Sequence, residues 1–256
     1  MTHVFGILLL LLAIILHEAG HAITMMRRGV DIKEAGIGFP IKKCKLTVRP
    51  KWLPFPVILG PVLVGAYVMP SDVGAAKLKS MRYKDQASCY GAGVIMNLLF
   101  ATSLLVIAGA CTCLAPGYDH QHDFIVMLCA LGAFAAVFLL RRWLSLIMPV
   151  FGVLFMALVV ALLFQSTDNV GGPGSTIGAS AGASSWIDAL SLGANLSLGL
   201  GLFNALPFVP LDGGKIVTAL LQAAKWARLD QVFTYATAVV FSSFIVFLIV
   251  KDIYSI

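Results

Sequence analysis

This chain has little charge. Only 12% of its 256 residues are Asp, Glu, Lys or Arg, where a soluble globular domain carries about 25%. Hydrophobic residues make up 59%, the profile of a polytopic membrane protein rather than of a water-soluble domain. Glutamate is nearly missing, with Glu18 and Glu34 the two in the sequence. The five cysteines, at 44, 89, 111, 113 and 129, include no Cys-x-x-Cys pair. That removes zinc ribbons and disulfide frameworks, and the cysteines read as small packing residues in or beside apolar segments. No basic segment precedes the N-terminal apolar run and no small-residue cleavage site follows it, so a retained first transmembrane helix is expected instead of a signal peptide. Neither an internal repeat nor a long disordered segment is visible, and the length suits one membrane domain over residues 1–256.

What is abundant is apolar sequence of spanning length. Six segments qualify or nearly so: 4–26, 88–113, 124–140, 143–164, 186–206 and 232–250. The third and fourth are joined by Arg141-Arg142, the turn of a transmembrane hairpin over 124–164. Residues 27–87 hold 12 of the 18 Lys and Arg residues, so the positive-inside rule makes this stretch a cytoplasmic loop and puts the N-terminus outside. Alternating spans then leave 17 of the 18 basic residues inside, with Lys251 the exception, and Asp119, Asp123 and Asp168 in outer loops. The net charge of +6 is thus a topology signal and calls for no nucleic-acid partner.

Within 27–87, Cys44–Val48 alternates basic and apolar residues as a short strand does. Residues 55–68 are apolar but broken by Pro56, Gly60, Pro61 and Gly65. They suit a β-hairpin dipping into the membrane under a protein cover better than a spanning helix. The expected fold is therefore a membrane all-α helical bundle of about six transmembrane helices, with a small re-entrant β-hairpin after the first. Residues 165–185 read as a Gly/Ser-rich outer loop, and 215–228 as an amphipathic helix on the inner surface.

The first span ends in His17-Glu18-Ala19-Gly20-His21. Imidazoles four residues apart share one helix face and can grip one metal ion, leaving the Glu between them to act on a water there. Two His and a Glu in a lipid-embedded helix are costly enough to mark a function. A catalytic zinc usually takes a third protein ligand. The metzincin position six residues on holds Arg27, and the only later Glu, Glu34, lies in the basic loop, poorly placed to fold back on His17. An Asp on the inner side remains: Asp31, Asp72, Asp85, Asp212 or Asp230. Asp212 stands apart because Pro207 and Pro210 break the fifth span before it, while Gly213 and Gly214 after it permit backbone conformations closed to other residues. His120-Gln-His122 reads as a solvated outer turn, and Asn97 in the second span as a bond to a neighbouring helix.

Together these residues resemble the site-2 protease family of intramembrane zinc metalloproteases, in particular bacterial members without PDZ domains. HEAGH matches the family's HExxH, and Asn204, Pro207, Asp212 and Gly213 match NxxPxxxxDG in order and spacing. Gly36–Phe39 with Gly60–Met69 looks like its re-entrant β-hairpin region, Ala92–Asn97 like its second core helix, and Gly172-Pro173 like an element ahead of the Asp-bearing span. The resemblance implies Zn2+ held by His17, His21 and Asp212, Glu18 as general base, and Asn204 steadying the oxyanion or the substrate backbone. It implies hydrolysis of a transmembrane-protein substrate in the lipid bilayer of a bacterial inner membrane, with the active site toward the cytoplasm. The pattern departs from many relatives in one respect: residues 114–185 leave room for a membrane hairpin but not for a PDZ fold. The rival reading is a metal-binding membrane protein without protease activity, a transporter or an inactive homologue. It meets the full set of His17, Glu18, His21 and Asp212, and spans that offer no further path of ligands.

Overall fold

The computed structural model describes residues 2–39, 45–113, 127–141 and 186–254, together with 125 and 143. These form α1 (Thr2–Arg27), β1 (Ile32–Phe39), β2 (Leu46–Val48), β3 (Val57–Leu59), β4 (Val62–Pro70), α2 (Asp72–Ser80) and α3 (Tyr83–Cys113). They continue with α4 (Met127–Arg141), α5 (Trp186–Ala205), α6 (Asp212–Ala223) and α7 (Ala227–Tyr254). The described chain is mostly helical, with one small sheet.

The apolar run of α1 contains no proline, and the helix continues unbroken through HEAGH to Arg27. It stops in a Schellman turn, where the Val30 N–H donates to the Met25 carbonyl and the Gly29 N–H to the Met26 carbonyl. Helices α1, α3 and α5 pack around Leu9, Ala101, Leu104, Ala108, Leu190 and Ala194, and the alanines allow the close helix approach typical of membrane interfaces. On α7, by contrast, Val232, Val239, Val246 and Phe247 are exposed. An apolar exterior of this kind suits lipid, not water.

Among the described residues, three helical stretches are long and apolar enough to cross a membrane: Phe5–Arg27, Tyr83–Cys111 and Ala227–Lys251. They correspond to the first, second and sixth expected spans. The expected third span is the shorter apolar helix α4. The expected fifth is the 20-residue α5, which carries Asp188, Asn195 and Asn204 and three glycine or serine positions in its second half, and is not among those three stretches. The expected span 143–164 and the loop 165–185 lie outside the described residues, as does most of the 114–185 stretch.

The sheet departs from the expected hairpin. Its order is β2-β3-β1-β4, with β1 parallel to β3 and antiparallel to β4. The two halves of 55–68 therefore do not pair with each other. The Gly60 N–H bonds the Ile37 carbonyl, so the chain steps around the end of β1 instead of folding back on β3. The sheet is seated on the C-terminal end of α1, where Ala22, Met25, Ile32, Phe55, Leu78 and Cys89 are buried together. The amphipathic helix expected at 215–228 is α6, with Ile216, Ala219 and Leu221 buried; a turn at Lys225 (φ 60) separates it from α7.

Pro207 and Pro210 do end α5, and α6 restarts at Asp212. Gly213 and Gly214 serve this break differently from the expectation, since neither has a positive φ. Their role is close approach: a Cβ on Gly213 would lie 2.0 Å from the Ala205 carbonyl oxygen, and one on Gly214 2.4 Å from that of Phe208. The first turn of α6 is thereby pressed onto the last turn of α5. Gly213→Ala is expected to force these turns apart at about 1–3 kcal/mol, as overpacking does, and to lower the apparent melting temperature of the detergent-purified protein. An unchanged melting temperature would show that the turn yields freely.

Candidate metal centre

Residues nearly 200 positions apart meet at this break. His17 and His21 project from one face of α1, and Asp212 points back at them from the first turn of α6. Asp212 Oδ2 lies 3.0 Å from Nε2 of each histidine, and the two Nε2 atoms are 3.2 Å apart. All three side chains are buried. The ring planes stand at 75° to each other, so both nitrogens face the carboxylate without stacking. Three ligand atoms at about 2.0–2.2 Å from a tetrahedral ion are separated from one another by about 3.3 Å. The observed triangle therefore needs only a slight expansion to hold one.

The surroundings fit a cation as well. His21 Nδ1 donates to the Cys89 carbonyl at 2.8 Å, so its Nε2 is the nitrogen turned toward the Asp212 oxygen. A buried carboxylate and an imidazole nitrogen held this close call for a positive charge between them, a metal ion or a ring proton. Lys215 Nζ binds the other Asp212 oxygen, Oδ1, at 3.0 Å, which turns Oδ2 alone toward the imidazoles.

Glu18 is half-buried and lines a cavity of about 350 Å³ together with His17, His21, Asn204, Asp212 and Lys215. Val68 and Pro70 of β4 and Lys79 of α2 form another side of it. Asn204 stands at this cavity, but its Nδ2 donates to the Leu200 carbonyl one turn back, a bond it must exchange before donating elsewhere. Glu18 also lines a second cavity, of about 430 Å³, between α1 and the sheet, with Ile15, Ala22, Trp52, Phe55 and Tyr67 among its walls. There the Tyr67 hydroxyl donates to Glu34, and burial, followed by that bond, raises Tyr67 above the usual phenol range. A larger cavity of about 710 Å³, between α1, α3 and α4, contains none of the candidate ligands.

The other acids considered as third ligand are not at the cluster. Asp85 pairs with Arg28, Asp230 accepts from Gln222, and Glu34 is held by Tyr67. Among the described residues, His17, His21 and Asp212 form the single group of three able to share an ion; His120 and His122 lie outside the described residues. Asn97 of α3 bonds a neighbouring helix as the sequence leads one to expect, its amide lying against His17 Nδ1 of α1; the Cys89 carbonyl and Gly93, set against His21 and against both rings, are what sequence reading misses. Their spacing of four residues was the available signal. Lys215 was read only as an inside charge, and its place three residues after Asp212 pointed to the pair it makes.

The family model described as peptidase family M50 matches residues 5–249. No curated protein matches the chain.

Proposed function

This chain belongs to peptidase family M50, the site-2 protease family, and from that membership we propose that it hydrolyses a peptide bond within or beside the transmembrane segment of a membrane-protein substrate. It is a site-2-protease-like metallopeptidase and an integral membrane protein. The observation that carries the finer reading is the position of Glu18, shared by a polar cavity that contains His17, His21 and Asp212 and an apolar cavity walled by the sheet.

His17 Nε2, His21 Nε2 and Asp212 Oδ2 would hold Zn2+. The ion would supply Lewis acidity, polarising water and the scissile carbonyl near neutral pH. Glu18 takes a proton from the attacking water and delivers it to the leaving amine. Asn204 exchanges its bond to Leu200 for one to the developing oxyanion or to the substrate backbone. Lys215 keeps Asp212 in place and compensates its charge. A rival role as a transporter has no support in a second set of buried ligands among the described residues.

A transmembrane substrate hides its carbonyls in its own helix and must unwind locally before attack. The strand placed to receive it is β4, whose Val68 and Pro70 border the ligand cavity, and not the 44–48 segment at the far edge. Ala35 and Ile37 bond toward β3, so Gly36 bonds toward β4 and Tyr67 toward β1. Ala66 and Val68 then direct their backbone groups to the open edge, where an extended segment can add as a strand. The bilayer is that of a bacterial inner membrane, crossed about six times. In this reading residues 1–256 are one domain, the N-terminus is outside, and the site and the sheet, re-entering the membrane after the first helix, lie toward the cytoplasm. A transmembrane hairpin over 124–164 takes the place where relatives carry PDZ domains.

Glu18→Gln is expected to retain bound zinc while cleavage of a model transmembrane peptide falls by at least about 100-fold; Asp212→Ala should lose zinc. Chelation should stop cleavage by the wild type and added Zn2+ restore it. Full cleavage by the Glu18 variant would remove the general-base role. For the strand, Val68→Pro deletes an outward N–H without touching a β1 bond, so cleavage should fall with zinc retained. Unchanged turnover would refute edge pairing at β4.

A further inference from the structure

We propose that Gly93 and Asn97, one turn apart on α3, are positioning residues of the metal centre: Gly93 makes room for the two imidazoles, and Asn97 holds His17 with Nε2 free to bind. The inference rests on His17, His21 and Asp212 being the ligands.

Helix α3 presents Cys89, Gly93 and Asn97 to the site as one stripe at four-residue spacing. The Cys89 carbonyl fixes the proton of His21 on Nδ1. At the next position a methyl group on Gly93 would lie 2.4 Å from His21 Nε2 and 2.6 Å from His17 Nε2. At those distances one or both rings must leave the positions that bring them to Asp212. Any side chain larger than hydrogen at residue 93 therefore competes with the ligand triangle itself.

Asn97 is fully buried, and its amide is the partner of His17 Nδ1, with Nδ2 at 3.1 Å. Its backbone carbonyl accepts from Ser197 of α5, which anchors this turn of α3 against a second helix. The Asn97 Oδ1 is buried and has no partner. A neutral imidazole that ligates through Nε2 carries its proton on Nδ1, and that proton must be donated. A half-turn of the Asn97 amide exchanges its two polar atoms and brings Oδ1 to the His17 Nδ1–H. One rotation satisfies the ring proton, satisfies the orphaned oxygen and leaves Nε2 as a lone pair. In the arrangement seen here, Nδ2 faces Nδ1 and the ring proton belongs on Nε2, against Asp212. Asn97 can serve both states because an amide can donate or accept.

The test measures Zn2+ affinity of the full chain in detergent, by competition with a chromophoric chelator. Asn97→Ala is expected to bind Zn2+ about 10–100-fold more weakly, the usual effect of losing a hydrogen-bond partner of a ligand histidine. Asn97→Asp keeps an acceptor and should stay close to wild type. Gly93→Ala should purify folded but with far less than one zinc per chain, its metal-free form melting somewhat lower than metal-free wild type because the added methyl overpacks the two rings. Wild-type affinity in Asn97→Ala, equal loss in Asn97→Ala and Asn97→Asp, or full zinc in Gly93→Ala would each overturn the proposal. A wild type that binds no Zn2+ would instead overturn the ligand assignment on which it rests.

Discussion

The structure depends on one contact, the approach of a single carboxylate oxygen of Asp212 to two imidazole nitrogens. A carboxylate buried at the end of a broken helix is unstable by itself, and its cost is met only by charge or hydrogen bonds brought to it. His17, His21 and Lys215 all come to it. Each is delivered by a local device: the unbroken α1 for the histidines, and the first turn of α6 for the lysine and the aspartate. The close seating of Gly213 on the end of α5 keeps Asp212 within reach of α1. Loosening any of these would leave an unpaired buried charge, so packing and chemistry constrain the same few residues.

Much of this was legible in the sequence because the signals were local. Helical spacing put His17 and His21 on one face, and two prolines followed by Asp-Gly-Gly marked the break that brings Asp212 to them. The purpose of the two glycines was misread, since close approach and left-handed backbone leave the same residue type in a sequence. The sheet was less legible: the strand-like alternation of 44–48 and the Pro- and Gly-broken apolar run of 55–68 are local signals, but which strands pair is not. A parallel bond between β1 and β3 inserted one strand where a hairpin was expected. Most of the contribution of α3 was hidden for another reason. Cys89 and Gly93 are ordinary residues for a membrane helix, and only the position of a second helix gives them meaning. The same holds for α5, whose polar residues weaken it as a span by composition while Ser197 and Asn204 face the interior.

Between them α1, α3 and α6 form a cage built from the beginning, middle and end of the chain. The sheet is attached to this cage by the apolar cluster that joins Ile32 and Phe55 to Met25 of α1 and Cys89 of α3. The strand nearest the ligands, β4, thus meets the cage at the same end of α1 that carries His21.

The two cavities that share Glu18 have a further consequence. One is bordered by Lys79 and Lys215, the other by Trp52, Phe55 and the apolar face of the sheet. In the proposed function, water and an apolar polypeptide would reach the same carboxylate through different cavities, as two immiscible phases meet at a boundary. Neither reactant would have to displace the other on the way in. The products would separate along the same line, a freed polar end toward water and the apolar stub toward lipid. Hydrolysis would then be a partitioning event as much as a bond cleavage, with Glu18 and Val68 at the phase boundary.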